Sequence, residues 1–244
     1  MILSSCLETE KIERSVLKVC EHIDEKRGQT TEWFDYSEKQ LWYELVFCIL
    51  GSQVHYETAK ECTKHLIDND YLDIKFIITK PTIAERKIAR ELGKPIYPPF
   101  KNGKCCRYRY PNSKSKYIVV TCINLYKSGH TTLKSILKEC NNPFNARDKL
   151  IEISKGIGPK QASLFLRNVS FCQNLAILDS HVIDYMKLMK LNEELDTKIV
   201  ANKKHYIINE QILTSYAAKY NKTLATLDIA IWVVMRVVKR EFVQ

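Results

Sequence analysis

Apolar residues recur at intervals of three and four positions along most of the chain, which is the spacing of one face of an amphipathic helix. Within residues 12–23, Ile12, Val16, Val19 and Ile23 share such a face. The same period continues through seven further segments: 37–52, 55–69, 82–94, 116–129, 132–142, 145–156 and 160–169. The pattern therefore predicts an all-α fold.

Local signals indicate where several of these helices begin and end. Ser37 precedes an apolar run and is typical of a helix N-cap, whereas Gly51 and Gly93 follow apolar runs and are typical of helix ends. Residues 74–80 and 117–123 are rich in β-branched side chains, so short strands remain an alternative there. The longest apolar stretch, LDIAIWVVMRVV, has twelve residues where a membrane span needs roughly twenty, so we expect a buried helix.

Residues 94–116 interrupt the helical pattern. This segment contains four prolines and seven lysines or arginines but no acidic residue, and four aromatic residues lie among the cations. Cations beside aromatic rings suit a surface that binds phosphates and stacks bases. A solvated basic loop whose rings pack into the protein remains the alternative. The candidate DNA-binding cations taken from this segment are Arg107, Arg109, Lys114 and Lys116.

Charge and cysteine usage narrow the class of protein. The 38 lysines and arginines exceed the 28 aspartates and glutamates by ten, which favours a polyanionic partner such as nucleic acid. The nine cysteines include no C-x-x-C pair, and this spacing argues against a structural zinc site. An odd number of cysteines without a secretory signal predicts reduced thiols in the cytoplasm, where a nucleic-acid partner would place the protein at the nucleoid.

The segment KGIGPK, residues 155–160, predicts a tight hairpin between two helices. Gly156 and Gly158 can adopt backbone angles closed to other residues and leave room for a close approach. Ile157 is the one apolar residue of the turn and should fill the gap between the helices, and Pro159 suits the first position of the next helix. The backbone N–H groups at that helix N-terminus favour a bound phosphate.

Two ionisable residues near this hairpin suggest catalysis. Lys160 lies in the first turn of the second helix, where the helix dipole and partial burial favour the neutral, nucleophilic amine. Asp179 precedes another helical run, where the same dipole favours an ionised carboxylate. The alternative for each residue is structural: an exposed lysine at the start of a helix, and an N-cap aspartate.

At these residues the chain resembles the helix-hairpin-helix superfamily of DNA glycosylases. The stretch KGIGPKQASLFLRN, followed by AILDSHV, is similar to the bifunctional branch, which carries a lysine at the end of the hairpin. The segments ELVFCIL, RYRYPNSKSKYIV and LDIAIW resemble the second family of 8-oxoguanine DNA glycosylase/AP lyases, best known from archaea. This resemblance implies two helical subdomains that flank a DNA-binding cleft. One would comprise residues 1–41 and 172–244, and the other, a helical barrel, residues 42–171 with the hairpin motif at about 145–170.

The resemblance also implies roles for individual residues. Lys160 would attack C1′ of the deoxyribose, expel the base and form a Schiff base, and Asp179 would stabilise the positively charged sugar. Gly156 and Gly158 would hold a phosphate, with room for a monovalent cation at the hairpin carbonyls. The remaining implied residues are Gln53, which would enter the gap left by the flipped base, and Tyr110 and Trp232, which would sandwich that base.

For Gln53 a locally bonded amide at a helix end is the alternative, and for Trp232 a place in the core. The chain ends VVKREFVQ and lacks the C-terminal lysine that helps the archaeal family recognise guanine, so the identity of the base stays open. No cysteine follows Cys172, and we expect no iron–sulfur cluster and no required cofactor. The expected partner is double-stranded DNA that contains a damaged base. We expect the protein to bind it as a monomer and to have no membrane partner.

Three functions follow from these features. The first is a bifunctional glycosylase/AP lyase of base excision repair that removes oxidised purine, above all 8-oxoguanine. The second keeps the lysine and aspartate chemistry for an oxidised pyrimidine or a bulky base. The third is a DNA-binding protein that uses the hairpin without catalysis, for which Lys160 and Asp179 would not be needed.

Overall fold

The computed structural model describes residues 2–25, 31–95 and 107–239. Within these ranges the chain forms twelve α-helices, one short 3-10 helix and no strand, which confirms the all-α prediction. No helix among these residues is long and apolar enough to cross a membrane. The helices are α1 (Ile2–Glu25), α2 (Glu38–Leu50), α3 (Tyr56–Asp68), α4 (Ile74–Thr79), α5 (Pro81–Leu92), α6 (Pro111–Tyr126), α7 (Leu133–Glu139), α8 (Pro143–Ile153), α9 (Pro159–Asn168), α10 (Ser180–Leu188), α11 (Lys203–Lys219) and α12 (Leu224–Val238).

The helices form two compact units. The terminal unit comprises Met1–Thr30 with Cys172–Gln244, and the central unit comprises Thr31–Phe171. The predicted boundary after residue 41 is therefore too late in the chain, because residues 31–41 belong to the central unit. Trp33 packs against Phe171, the last residue of the central unit in the sequence, and their ring centroids are 5.7 Å apart.

The terminal unit is built around α12. Its core includes Val16 and Cys20 from α1, Tyr185 from α10 and Ile231 from α12, all fully buried. Asp228 of α12 is also buried, and its Oδ2 accepts a hydrogen bond of 3.0 Å from the backbone N–H of Ile177. The segment LDIAIWVVMRVV thus forms a helix that buries one face in the core, whereas Ile229, Val237 and Val238 are exposed, so the prediction of a buried helix is confirmed only in part.

The central unit is built around α2 and α6. Ser37 forms a capping box with Gln40 at the start of α2, and Gly51 and Gly93 follow the last residues of α2 and α5, which confirms the predicted helix ends. The residues for which strands were an alternative form α4 and α6 instead. Tertiary packing overrides the intrinsic preference of β-branched residues here, because both helices bury one face in the unit.

Candidate active site

The predicted hairpin lies between α8 and α9. Pro159 occupies the first turn of α9 and Gly158 is its N-cap. Ile157 is only 6% exposed, so it fills the space between the two helices as predicted. Gly156 has φ of +77°, and a Cβ atom there would lie 2.8 Å from Cε2 of Tyr117 and closer still to Cδ2. Both backbone angle and packing therefore require glycine at position 156.

One face of α6 supports this hairpin. The ring of Tyr117 packs on Gly156, Oγ1 of Thr121 accepts a hydrogen bond from the backbone N–H of Lys155 (2.9 Å), and Nδ2 of Asn124 donates to the carbonyl of Ile153 (2.9 Å). Residues 117, 121 and 124 are four and three positions apart, so they share a face of the helix. These three contacts from α6 consequently hold the hairpin turn in place.

Gly158 differs from Gly156 in what surrounds it. Its φ is −111°, which other residues adopt freely, and a Cβ atom added there would meet no atom of the described residues within 4 Å. The fold of the free chain thus gives no reason for glycine at this position. A ligand that approaches the backbone closely would give one, and the N–H groups at the start of α9 suit a phosphate.

Lys160 lies in the first turn of α9 and is partly buried. Its Nζ makes one weak hydrogen bond among the described residues, to Oε1 of Gln161 at 3.4 Å. Because α9 packs on α2, Lys160 is near Cys48, whose thiol pKa is raised by burial and by the charge of Glu44 and lowered by the charge of Lys160. The amine forms no ion pair with a described residue.

Asp179 is the N-cap of α10. Its Oδ1 accepts hydrogen bonds from the backbone N–H groups of His181 and Val182, both at 2.9 Å. Neither bond uses Oδ2, which has no hydrogen-bond partner among the described residues. The structural alternative for Asp179 is therefore correct in part: one carboxylate oxygen caps the helix, and the other can act on a ligand. Asp179 belongs to the terminal unit and Lys160 to the central unit.

The candidate base-contacting residues differ in exposure: Gln53 is exposed, whereas Tyr110 and Trp232 are partly buried. Gln53 is exposed beyond the end of α2 and has φ of +62°, an angle that is uncommon for a residue other than glycine. Tyr110 is the partly buried N-cap of α6, with the guanidinium carbon of Arg109 5.0 Å from its ring centroid. Trp232 is also partly buried, and the guanidinium carbon of Arg236 lies 4.4 Å from its ring centroid.

The cations of the basic segment divide into two groups. Arg107, Arg109 and Lys116 are exposed, as a phosphate-binding surface requires. Lys114 is only 5% exposed and its Nζ donates a 2.7 Å hydrogen bond to the carbonyl of Ile49, so the prediction that it binds DNA directly is wrong for this structure. Tyr108 is buried too, as the alternative reading of the segment requires. Residues 96–106 of the segment, with Tyr97 and Phe100, lie outside the described residues.

Sequence reasoning missed the residues that position the hairpin. Tyr117, Thr121 and Asn124 stand in a segment read as an apolar helix or a strand. Their signal is a ring and two polar side chains on one face of that helix. That signal is recognisable only once α6 is known to pack beside the hairpin.

Comparison with known proteins gives consistent results. A family described as 8-oxoguanine DNA glycosylase matches residues 100–222. A protein of Saccharolobus solfataricus named 8-oxoguanine DNA glycosylase/AP lyase is 31% identical over 232 residues, which are 95% of this chain and 96% of that protein. A protein of the same name from Thermotoga petrophila is 30% identical over 200 residues, 82% of each chain.

Solved structures agree with these matches. The 8-oxoguanine DNA glycosylase of Methanocaldococcus jannaschii is similar with a TM-score of 0.68 and 25% identity, covering 93% of this chain and 92% of that one. The 8-oxoguanine DNA glycosylase of Thermotoga maritima gives a TM-score of 0.61 and 27% identity, covering 91% of this chain and 88% of that one.

Proposed function

This chain belongs to the family of 8-oxoguanine DNA glycosylases, and from that premise we propose that it is a bifunctional glycosylase/AP lyase that removes 8-oxoguanine from double-stranded DNA. The observation that carries the proposal is Lys160, a lysine without an ion pair among the described residues, in the first turn of the helix that follows the glycine hairpin. A protein that only binds DNA would have no need of such an amine beside a phosphate-binding turn.

Lys160 is the nucleophile in this proposal. Its neutral amine attacks C1′ of the deoxyribose, and the glycosidic bond breaks as its electron pair leaves with the base, which takes up a proton. Nζ then loses a proton, the C1′–O4′ bond breaks as O4′ takes up a proton, and the opened sugar is left bound to Nζ as a Schiff base. Removal of a proton from C2′ expels the 3′ phosphate oxygen and cleaves the strand by β-elimination. The Schiff base finally hydrolyses and returns the amine, so no cofactor is consumed.

Asp179 supplies the negative charge in this reaction. As the bond to the base lengthens, positive charge develops on the sugar ring, and a fixed carboxylate lowers the energy of that state. The backbone bonds to Oδ1 fix the orientation of the group, and Oδ2 is the atom that would face the sugar. The proposal requires Asp179 and Lys160 to reach the same nucleotide in the complex with DNA.

The phosphate contacts of the proposal use exposed groups of the central unit. The N–H groups at the start of α9 bind a phosphate beside Gly158, and Arg107, Arg109 and Lys116 neutralise others. Gln53 enters the gap left when the damaged base turns out of the duplex. Tyr110 and Trp232 stack on the extruded base. One monomer of the protein binds each damaged site in this proposal.

Borohydride trapping on a duplex with 8-oxoguanine opposite cytosine tests the proposal. Borohydride reduces a Schiff base to a stable amine, so the wild type should become covalently attached to the DNA, and Lys160→Gln should not. Trapping of Lys160→Gln at the wild-type level would exclude Lys160 as the nucleophile. A wild type that traps on no damaged duplex would exclude lyase activity.

A panel of lesions then tests the base. The same assay with an oxidised pyrimidine, a bulky adduct and undamaged guanine should show the fastest excision for 8-oxoguanine. Faster excision of another lesion would retain the lysine chemistry and change the substrate.

A further inference from the structure

The C-terminal end of α2 is fixed by two side chains, one from Tyr108 just before α6 and one from Lys114 in the first turn of α6. The last carbonyls of a helix have no partner within the helix and need one from outside it. Nζ of Lys114 donates to the carbonyl of Ile49 at 2.7 Å, and the hydroxyl of Tyr108 donates to the carbonyl of Leu50 at 2.6 Å. Gln53 follows only three residues after Leu50, so the same contacts fix the base of the turn that carries it.

Lys114 is an unusual residue for this task. It is 5% exposed, and burial lowers the pKa of its amine to about 8, which reflects a real cost of removing the charge from water. The negative end of the α2 dipole and the ring of Tyr117, whose centroid lies 5.7 Å from Nζ, offset part of this cost. An apolar side chain of the same length would avoid the cost but leave the end of α2 without this bond.

The same stretch of α6 also contacts the hairpin. Tyr117 lies one turn after Lys114, and its ring packs on Gly156. Residues 114 and 117 of one rigid helix thus contact the end of α2 on one side and the catalytic hairpin on the other. Gln53 and Lys160, which act on neighbouring parts of one flipped nucleotide in the proposed function, are linked through this helix.

We propose that Lys114 is a positioning residue for base excision: it holds the end of α2, and with it Gln53, in fixed register with the hairpin, without contacting DNA itself. The inference rests on the proposed function and adds to it a residue that the reaction needs but does not touch. Misplacement of a group by about 1 Å can slow a reaction by about 100-fold, so a loosened α2 end should be measurable as a rate.

Lys114→Met is the central test, because methionine keeps the length of the side chain and removes the charge and the hydrogen bond. We expect single-turnover excision of 8-oxoguanine at saturating enzyme to slow by about 10- to 100-fold. The slope of log affinity against log salt should equal that of the wild type, since no phosphate contact is lost. Lys116→Met is the matched control two positions along α6: Lys116 is exposed, and its loss should reduce the slope by about one.

A double-mutant cycle with Gln53→Ala separates positioning from a general loss of stability. If Lys114 acts through Gln53, the variant with both substitutions should be no slower than Gln53→Ala alone. If the two substitutions instead slow excision by fully additive amounts of activation free energy, the inference is wrong. If Lys114→Met does not fold, Tyr108→Phe tests the same claim, because it removes the neighbouring bond to Leu50 and keeps the ring; excision by this variant should slow with an unchanged salt slope.

Two results would contradict this inference and leave the proposed function intact. A salt slope reduced by about one in Lys114→Met, as in the Lys116 control, would show a direct phosphate contact. Wild-type excision by a folded Lys114→Met, or by Tyr108→Phe, would show that the bonds to the end of α2 serve packing only. A wild type that excises no lesion would instead overturn the proposed function, and the inference with it.

Discussion

Two glycines in one turn of the hairpin are present for different physical reasons. Gly156 is required by the free protein, through its positive φ and the ring of Tyr117. Gly158 has an ordinary backbone angle, and within the described part of the chain the space beside it is open. At the scale of a single residue, stability and DNA binding can therefore be separated by exchanging each glycine for alanine.

Gly156→Ala should lower the free energy of unfolding by about 2 kcal/mol or more, because strain at positive φ adds to overlap with Tyr117. Gly158→Ala should stay within about 1 kcal/mol of the wild type. It should nevertheless weaken binding to duplex DNA, since the new methyl group lies where a phosphate approaches. Urea denaturation and a binding titration of both variants measure these effects. If Gly158→Ala binds DNA as tightly as the wild type, no phosphate binds close to Gly158.

Asp179 has two roles in our interpretation, capping α10 and stabilising the sugar cation, and two substitutions distinguish them. Asn caps a helix about as well as Asp, whereas Ala costs about 1 kcal/mol. Asp179→Asn should therefore retain most of the stability of the wild type and lose at least about 100-fold in excision rate, because the charge is gone. Asp179→Ala should lose both. Thermal unfolding and single-turnover excision test this, and near-wild-type excision by Asp179→Asn would leave the residue as a helix cap only.

At the scale of an element, α2 carries two glutamates with opposite effects on stability. Glu38 accepts hydrogen bonds from the backbone N–H groups of Leu133 (2.7 Å) and Lys134 (3.0 Å) at the start of α7. Glu44 faces α9, where Nδ2 of Asn168 donates to it at 2.7 Å, and burial raises the pKa of its carboxyl above the usual range despite that bond. Ionised Glu38 stabilises the helix packing, whereas ionised Glu44 opposes it.

Glu44→Gln should raise the free energy of unfolding at pH 7, and Glu38→Gln should lower it by about 1–3 kcal/mol. For Glu44 the sign follows from a folded-state pKa above the unfolded value: stability is fully present below the ordinary value of 4.5 and is lost as pH rises through the folded pKa. The advantage of Glu44→Gln should accordingly disappear in acid. Urea denaturation at pH 4 and pH 7 measures both variants, and a stability gain that is equal at the two pH values would contradict this account.

At the scale of the whole molecule, the net charge of +10 governs association with DNA. Each phosphate neutralised releases condensed counterions, so the slope of log affinity against log salt reports the number of contacts. Affinity for duplex DNA should fall steeply between low and physiological salt. Arg107→Gln and Arg109→Gln should each reduce the slope by about one, as measured by titrations at several salt concentrations.

Lys127→Gln is the control for these arginines. Lys127 is exposed at the far end of α6, about 16 Å along the helix from Lys116, so its loss should leave the slope unchanged. Equal slopes for all these variants and the wild type would mean that the exposed arginines do not contact phosphates.

Local physical chemistry determined much of this protein from its sequence. The helical period, the Ser37 cap, the glycines that end α2 and α5, and the buried Ile157 follow from neighbours within a few residues, and the structure confirms them. The hairpin sequence with its lysine also indicated the family that the comparisons support. The chemical roles of Lys160 and Asp179 stay predictions.

Tertiary structure alone decided what each basic or aromatic side chain does. Lys114 and Lys116 are two residues apart and equivalent by charge, yet one is buried against a carbonyl 65 positions earlier in the chain and the other is exposed. Tyr108 likewise bonds a carbonyl 58 positions away. The reason is that burial depends on which distant helices meet, and no local pattern of charge or periodicity carries that information.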